Sequence, residues 1–307
     1  MLNALTVDVE DYYQVSAFEH RVARSDWDSY ESRVVANTRR LLGVLDEAGV
    51  RGTFFVLGWV ADRFPGLVRD IDQRGHEIGS HSYWHRLIYG MTPDEFRADL
   101  RQSKAVLEDI LGRAITLFRA PSFSITAQSR WALDVLAEEG IRVDSSVYPV
   151  RHDRYGMPGA PRTPHAFDLP AGRLLEYPPS TLADRFRLPV SGGGYFRLYP
   201  LGLTRHAAAR VNRQGCPFMF YIHPWELDPE QPRIAGIGWK SRLRHSVNLS
   251  TTEAKLRRLL QGVTFGTLTE SLAQVLPEAR EPAAAARAAR EPHASGVQPA
   301  SPVAVGD

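Results

Sequence analysis

The sequence predicts an α/β protein built on a parallel β-sheet, either open or closed into a barrel. Three observations carry this. Strand and helix signals alternate with short connections from Leu2 to about Asp144. The helical stretches are one-sided, whereas the strand stretches are short and β-rich, as expected for strands covered on both faces. Polar and ionisable residues follow the strand runs, which is where sites on such sheets lie.

The first strand opens "LTVDVEDYY", an apolar run from Leu5 to Val9 broken by Asp8 and ending against Glu10 and Asp11. "SRVVANTRRLLGVLDEAG" then puts Val34, Thr38, Leu41 and Leu45 on one helical face, and Gly49 closes it. "RGTFFVLG" is the second strand, and "PGLVRDIDQRG" a helix with Pro65 near its start and Gly75 at its end. "HEIGSH" is the third strand. "TPDEFRADLRQSKAVLEDILG" is a helix opened by a capping box from Thr92 to Glu95, with Pro93 at the first position. Strand "AITLFRAP", a helix through Trp131 and Leu136, and strand "IRVDSS" complete the alternating part.

From about 148 to 200 the periodicity breaks and Pro and Gly become dense, so irregular loops and short strands are expected there. A helix through Arg210, strand "PFMFYIH", helix "TTEAKLRRLLQ" with a Ser250–Glu253 capping box, and strand "VTFGTL" finish the domain. The expected organisation is one domain over 1–275, with a distinct part from about 148, and a disordered tail over 276–307. Residues beyond about Pro277 lack aromatics and an apolar face, and cannot offset the entropy of ordering them.

The 307 residues carry a net charge of only +2, which gives no electrostatic argument for a nucleic-acid partner. A single cysteine, Cys216, excludes an internal disulfide framework. No apolar run reaches transmembrane length and no signal sequence precedes the first strand, so a soluble cytoplasmic protein is expected.

Chemistry concentrates after the strands. "HSYWH" supplies His81 and His85, two nitrogen ligands three residues apart. Zinc needs such imidazoles converging at about 2.0–2.1 Å. The place of the zincin glutamate is taken by Ser82, which disfavours a protease of that type. A pair of loop histidines bonded to backbone is an equally good account until the acids are added. Two histidines and one carboxylate from "DVED" make three ligands with open positions, suited to metal-assisted hydrolysis. Without a cation, Asp8, Glu10 and Asp11 would raise one another's pKa values.

Arg119 in "RAPSF" is placed to hold a carboxylate through a two-toothed hydrogen bond. His223 in "YIHPWE" ends a strand and has the chemistry to protonate a leaving amine. Asp144 in "VDSS" is a candidate partner for His223 or Arg119. Trp84, Phe123, Tyr148 and Trp225 lie beside these motifs, where stacking on sugar rings and core packing explain them equally well. "SGGGYF" lacks the Lys-Ser/Thr of a P-loop and is read as a Gly-rich turn.

Together "TVDVED", "HSYWH", "RAPSF", "VDSS" and "FYIHPWE" resemble the polysaccharide deacetylases with a NodB-homology domain, carbohydrate esterase family four. "VDVEDYY", "DSSVYPVRHDRYGMP", "SGGGYFRLYP", "HPWELDPEQPRI" and "FGTL" look like the deacetylases of PEP-CTERM/exosortase (XrtA) exopolysaccharide loci. The resemblance implies a distorted (β/α) barrel of about seven parallel strands. It further implies a divalent metal, usually zinc, and removal of N-acetyl groups from amino sugars of a polysaccharide or a lipid-linked oligosaccharide. By that resemblance Asp8 matches the general base, His81 and His85 the metal ligands, Arg119 the residue orienting the base and His223 the general acid. An association with membrane-bound exopolysaccharide assembly machinery is compatible with it.

The first motif departs from the family's adjacent pair of aspartates, because Val9 follows Asp8. Strand alternation puts Glu10 on the side of Asp8, whereas Asp11 suits the metal if the strand ends or bulges at Glu10. Asp11 is taken as the expected ligand and Glu10 as the alternative. Competing functions are an allantoinase-like or formyl-amide hydrolase and an inactive sugar-binding module. The aromatic loops after 148 favour a larger substrate than the first of these. The second needs a missing catalytic group, and every candidate is present.

Overall fold

Asn3–Val9 form the first strand, β1, and every one of its seven residues is buried. The reason is its place at the centre of the sheet. β1 pairs in parallel with β2 (Thr53–Val56) on one side and β8 (Met219–Ile222) on the other. Covered on both faces, it has no use for polar alternation, and Thr6 and Asp8 stand out as polar residues with a specific reason to be there.

A computed structural model describes residues 1–152, 154–182 and 187–279. Within them the helices α1 (Val34–Ala48), α2 (Gly58–Arg63), α3 (Pro65–Gln73) and α4 (Pro93–Leu111) cover the strands β1, β2 and β3 (Glu77–Ser80). The punctuation read from sequence holds here. Gly49 closes α1 at φ 63°, Pro65 starts α3, and Thr92 and Glu95 form the capping box of α4. The next strands are only two residues long, β4 (Leu117–Phe118) and β5 (Val143–Asp144), with α5 (Ala132–Glu138) between them.

The irregular stretch holds more order than its composition suggests. β6 (His165–Leu169) and β7 (Gly172–Glu176) form an antiparallel hairpin, and β7 joins β5 in parallel. α6 (Gly193–Leu198) follows the Gly-rich turn, then α7 (Leu201–Arg213), β8, α8 (Trp239–Ser246) and α9 (Leu249–Gly262). The turn must be glycine at 192, where φ is 140° and a Cβ would collide with the Tyr221 carbonyl of β8. β9 (Phe265–Gly266) pairs with the start of β1, and α10 (Leu268–Leu272) is capped by Thr267 and Glu270. The expected Ser250–Glu253 box does not form. The cap position falls two residues earlier, at Asn248 before α9, and Glu253 pairs instead with Arg40 and Arg257.

The sheet runs β6-β7-β5-β4-β3-β2-β1-β8, all parallel except β6. It is a curled, half-closed parallel sheet in which β6 and β8 remain edges among the described residues. The strand connections put the ends of β8, β1, β3, β4 and β5 along one rim. Of the tail expected over 276–307, the part from 280 onward lies outside the described residues, whereas Pro277–Ala279 form a short turn in which Ala279 is buried. No helix among the described residues is long and apolar enough to cross a membrane.

Candidate active site

Four strand ends bring Asp8, Glu10, His81, Arg119 and His223 together. Asp8 is the penultimate residue of β1, and Glu10 follows on the same side, as strand alternation requires. His81 follows β3 directly, Arg119 follows β4, and His223 follows β8.

Ligand atoms of Glu10, His81 and His85 lie within 4.8 Å of one another, and all three side chains are buried. His81 Nδ1 lies 2.8 Å from the carbonyl oxygen of Arg119. A carbonyl only accepts, so Nδ1 carries the proton and Nε2 is left as a lone-pair donor facing the cluster. Burial pushes the His81 pKa down to about 4, which keeps the ring neutral. Glu10 Oε2 is 2.6 Å from His85 Nε2, and it receives no hydrogen bond from any donor. Burial would raise the Glu10 pKa, but the imidazoles of His85, His223 and His81 bring it to about 2. Two imidazoles, one permanently ionised carboxylate and an unsatisfied carboxylate oxygen fit a divalent cation.

The "HSYWH" loop is bent to bring both histidines inward. Ser82 and His85 take positive φ of 63° and 52°, conformations that cost non-glycine residues about 1–2 kcal/mol each. The strain is held by neighbours. Buried Asp99 accepts from Tyr83 N at 2.7 Å and Trp84 N at 3.1 Å, and His85 N donates to Ser82 Oγ at 3.1 Å. Arg24 Nε donates to the Trp84 carbonyl at 2.7 Å. Neither Asp99 nor Arg24 carries a signal in the sequence that separates it from any other surface charge.

Asp11 is elsewhere. Its carboxylate accepts from Ser32 Oγ at 2.8 Å, Arg33 N at 2.9 Å and Val34 N at 3.1 Å, the free donors at the start of α1. It lies two residues beyond β1, and these bonds turn it to that helix and away from the histidines. The expected ligand Asp11 is therefore replaced by Glu10 in the cluster.

Arg119 is wholly buried, with Nη1 2.8 Å from Asp8 Oδ1 and 2.8 Å from Thr6 Oγ1. The bond to Asp8 is single rather than two-toothed, because Nε and Nη2 are spent on Ser145 O and Oγ. Asp8 Oδ2 faces His223 Nε2 at 3.9 Å, and Glu10 Oε1 lies 3.7 Å from the same nitrogen. Asp144 is hydrogen-bonded to neither of its expected partners, the side chain of Arg119 or that of His223. His223 Nδ1 is 2.8 Å from Glu226 Oε1, which also accepts from His223 N at 3.0 Å. Burial would lower the His223 pKa, yet the Glu226 bond and the surrounding carboxylates raise it to about 9. Glu226 escaped the reading, although "HPWE" has the spacing of a capping box with Pro at the first position. Asp144 lies deeper, bonded to Ser146 and paired with Glu176.

The expected stacking residues separate by exposure. Tyr148 is fully buried and Phe123 is 5 % exposed, packed edge-on against Tyr148 and Tyr221. Trp225 is also 5 % exposed, sandwiched between His223 at 5.1 Å and His245 at 4.3 Å. These three are packing residues in this structure. Of the four, Trp84 alone is half-buried.

Fold and rim together define an α/β protein with a candidate mononuclear metal centre at the C-terminal ends of a curled parallel sheet. The family described as polysaccharide deacetylase matches residues 25–142, and a domain of unknown function (DUF3473) matches 145–273. Residues 25–142 are thus similar to a polysaccharide deacetylase domain. It is 29% identical over 149 residues to a peptidoglycan-N-acetylglucosamine deacetylase of Bacillus cereus, spanning 45% of this chain and 53% of that protein. It is 32% identical over 108 residues to a chitooligosaccharide deacetylase of Azorhizobium caulinodans, spanning 34% and 50%. The chain thus spans about half the length of these relatives. A crystal structure from Mycobacterium smegmatis, described as a candidate polysaccharide deacetylase, shares the fold. It aligns over 90% of both chains with a TM-score of 0.57 at 21% identity.

Proposed function

We propose that the protein is a metal-dependent polysaccharide N-deacetylase that hydrolyses the acetamide of an amino-sugar residue. The observation that carries the reading is Asp8 and His223 facing each other across 3.9 Å at the edge of the Glu10, His81 and His85 cluster. A base and an acid presented side by side at the rim of a metal site are what amide hydrolysis requires. The relatives named for peptidoglycan and chitooligosaccharide support an N-acetylated sugar as substrate.

Glu10, His81 and His85 would hold the cation, most simply Zn²⁺, which supplies Lewis-acid polarisation of the carbonyl and a more acidic water. Asp8 Oδ2 accepts the proton of the attacking water, while Arg119 holds the other carboxylate oxygen in place. The C–N bond breaks as His223 Nε2 gives its proton to the sugar nitrogen, leaving acetate and a free amine. Trp84 is the half-buried ring available to a sugar face. We place the activity in exopolysaccharide biosynthesis on the strength of the motif resemblance.

Acetate release from chitooligosaccharides, with and without thorough chelation, tests the reading. Chelator-sensitive release that Asp8→Asn abolishes is the expected result. Chelator-insensitive release would remove the metal, and hydrolysis of allantoin in place of acetylated sugars would remove the substrate class.

A further inference from the structure

We propose that Arg197 is a positioning residue for the proton donor, and that the segment 145–273, with no assigned function, supplies the whole proton-delivery arm of the site. The proposal rests on the deacetylase reading above and adds a residue that touches no reacting atom.

The arm is a chain of buried contacts. Arg197, on α6, is 4 % exposed, and its Nε lies 2.7 Å from Oε2 of wholly buried Glu226. The other oxygen of Glu226 takes the Nδ1–H of His223 at 2.8 Å and its main-chain N–H at 3.0 Å. With Nδ1 committed to Glu226, Nε2 is the nitrogen presented to Asp8 and to the space where the sugar nitrogen would sit. Reaction at that point moves one proton from Nε2 to the departing nitrogen as the C–N bond breaks. The imidazole is left neutral and still bonded to Glu226.

Every nitrogen of the Arg197 guanidinium is used. Nη1 donates to the carbonyls of His245 at 2.8 Å and Val247 at 3.0 Å, and Nη2 to that of Arg244 at 2.9 Å. These carbonyls close the C-terminal end of α8, where helical partners run out. The main chain of Arg197 is tied in turn by Asn248 Nδ2 to its carbonyl at 3.0 Å. The guanidinium carbon is also 5.3 Å from the ring of Trp225, which stacks on His223. One side chain therefore fixes the carboxylate behind the acid and the helix and ring flanking it. A lysine offers one nitrogen where this site uses three. Without the guanidinium, Glu226 would be a buried charge lacking its strongest partner, and it would turn or take up a proton. Either change releases Nδ1 of His223.

This arm is separate from the matched 25–142 segment, which supplies His81, His85 and Arg119. The cation side and the acid side of the site meet across the pairing of β1 with β8, and again where Trp225 Nε1 approaches Glu10 Oε1 at 3.4 Å.

The test separates positioning of the acid from support of the fold by changing the leaving group. An amine must be protonated to leave, whereas the phenolate of 4-nitrophenyl acetate leaves without a proton. Arg197→Met is expected to lower kcat for acetate release from chitooligosaccharide about 100-fold, with KM within about twofold. Hydrolysis of 4-nitrophenyl acetate by the same preparation should change by less than about threefold. Arg197→Lys should recover only part of the loss. Glu226→Gln, which keeps shape and removes charge, should give the same split if Arg197→Met folds poorly. Parallel loss on both substrates, or no loss on the amide, would overturn the proposal. Failure of the deacetylase reading looks different, since the unaltered protein would then release no acetate from the oligosaccharide.

Discussion

His81 gives its Nδ1–H to the main-chain carbonyl of Arg119 across 2.8 Å, while the side chain of the same arginine holds Asp8 at 2.8 Å. One residue at the end of β4 thus orients a metal-site imidazole through its backbone and the proposed base through its guanidinium. The two duties are separable, because substitution removes the side chain and leaves the carbonyl. Arg119→Lys is expected to keep the metal content of the protein while lowering kcat by about 100-fold, as Asp8 loses its fixed direction. Metal analysis alongside steady-state kinetics checks this. Loss of metal in proportion to loss of rate would show that the arginine side chain supports the histidine as well.

Glu10 and Asp11 are neighbours with opposite consequences. Glu10→Gln removes the carboxylate of the cluster and is expected to weaken metal affinity by at least about tenfold, with little loss of fold. Asp11→Asn removes the anion at the start of α1 and is expected to cost about 1–2 kcal/mol in stability, leaving metal stoichiometry unchanged. Titration with a competing chelator and thermal unfolding distinguish the two. The reverse pattern would return the metal to Asp11.

Much of this was legible in the sequence, and the failures share a cause. Strands, helix ends and the strand-end positions of Asp8, His81, Arg119 and His223 follow from local periodicity and punctuation, which need no knowledge of neighbours. Even the Glu10 side was written in the alternation of β1; the prospect of a strand end or bulge at Glu10 led to Asp11, and although β1 does end at Val9, Glu10 stays with the histidines while Asp11 is taken by the start of α1. The β6–β7 hairpin was hidden in a Pro- and Gly-rich stretch because its pairing, not its composition, makes it a sheet. Arg197, Asp99 and Arg24 were invisible for a related reason. A charged residue on a helix or loop reads as surface until the fold shows a buried acid, or an inward-bent loop, beside it.

Asp144 and Glu176 are register partners on β5 and β7, and both are wholly buried. Asp144 Oδ2 and Glu176 Oε2 meet no N–H or O–H donor, so the pair is satisfied only when a proton lies between them. Burial raises the Asp144 pKa to about 6 and pushes Glu176 well above the ordinary carboxylate range, where the charge of Asp144 holds it too. Raised carboxyl values mean that the folded state binds more protons than the unfolded state. Their contribution to stability is therefore present below the unfolded pKa near 4 and is lost as pH rises through about 6. Glu176→Gln supplies a permanent donor in place of the shared proton. It is expected to flatten the fall in stability between pH 4 and 7, on the order of 2 kcal/mol, as read by chemical unfolding at each pH. An unchanged slope would show that the pair carries no shared proton.

Trp84 and Tyr148 give the last test, because exposure divides residues that sequence proximity had grouped. Trp84 is half-buried, its ring braced by Tyr83 at 4.9 Å and Trp27 at 6.1 Å, and it directly precedes His85 in the chain. Stacking a sugar on such a face contributes on the order of 1 kcal/mol, bound equally in the ground and transition states. Trp84→Ala is therefore expected to raise KM for chitooligosaccharide roughly five- to tenfold with kcat within about threefold. Tyr148 is fully buried against Phe123 at 5.3 Å and Tyr155 at 5.5 Å, so no sugar reaches its ring. Tyr148→Ala should leave KM within about twofold and appear instead as a loss of about 3–5 kcal/mol in stability. Kinetics at several oligosaccharide lengths, paired with denaturant unfolding, reads both. A KM effect at Tyr148 without one at Trp84 would place the sugar on the opposite wall of the site.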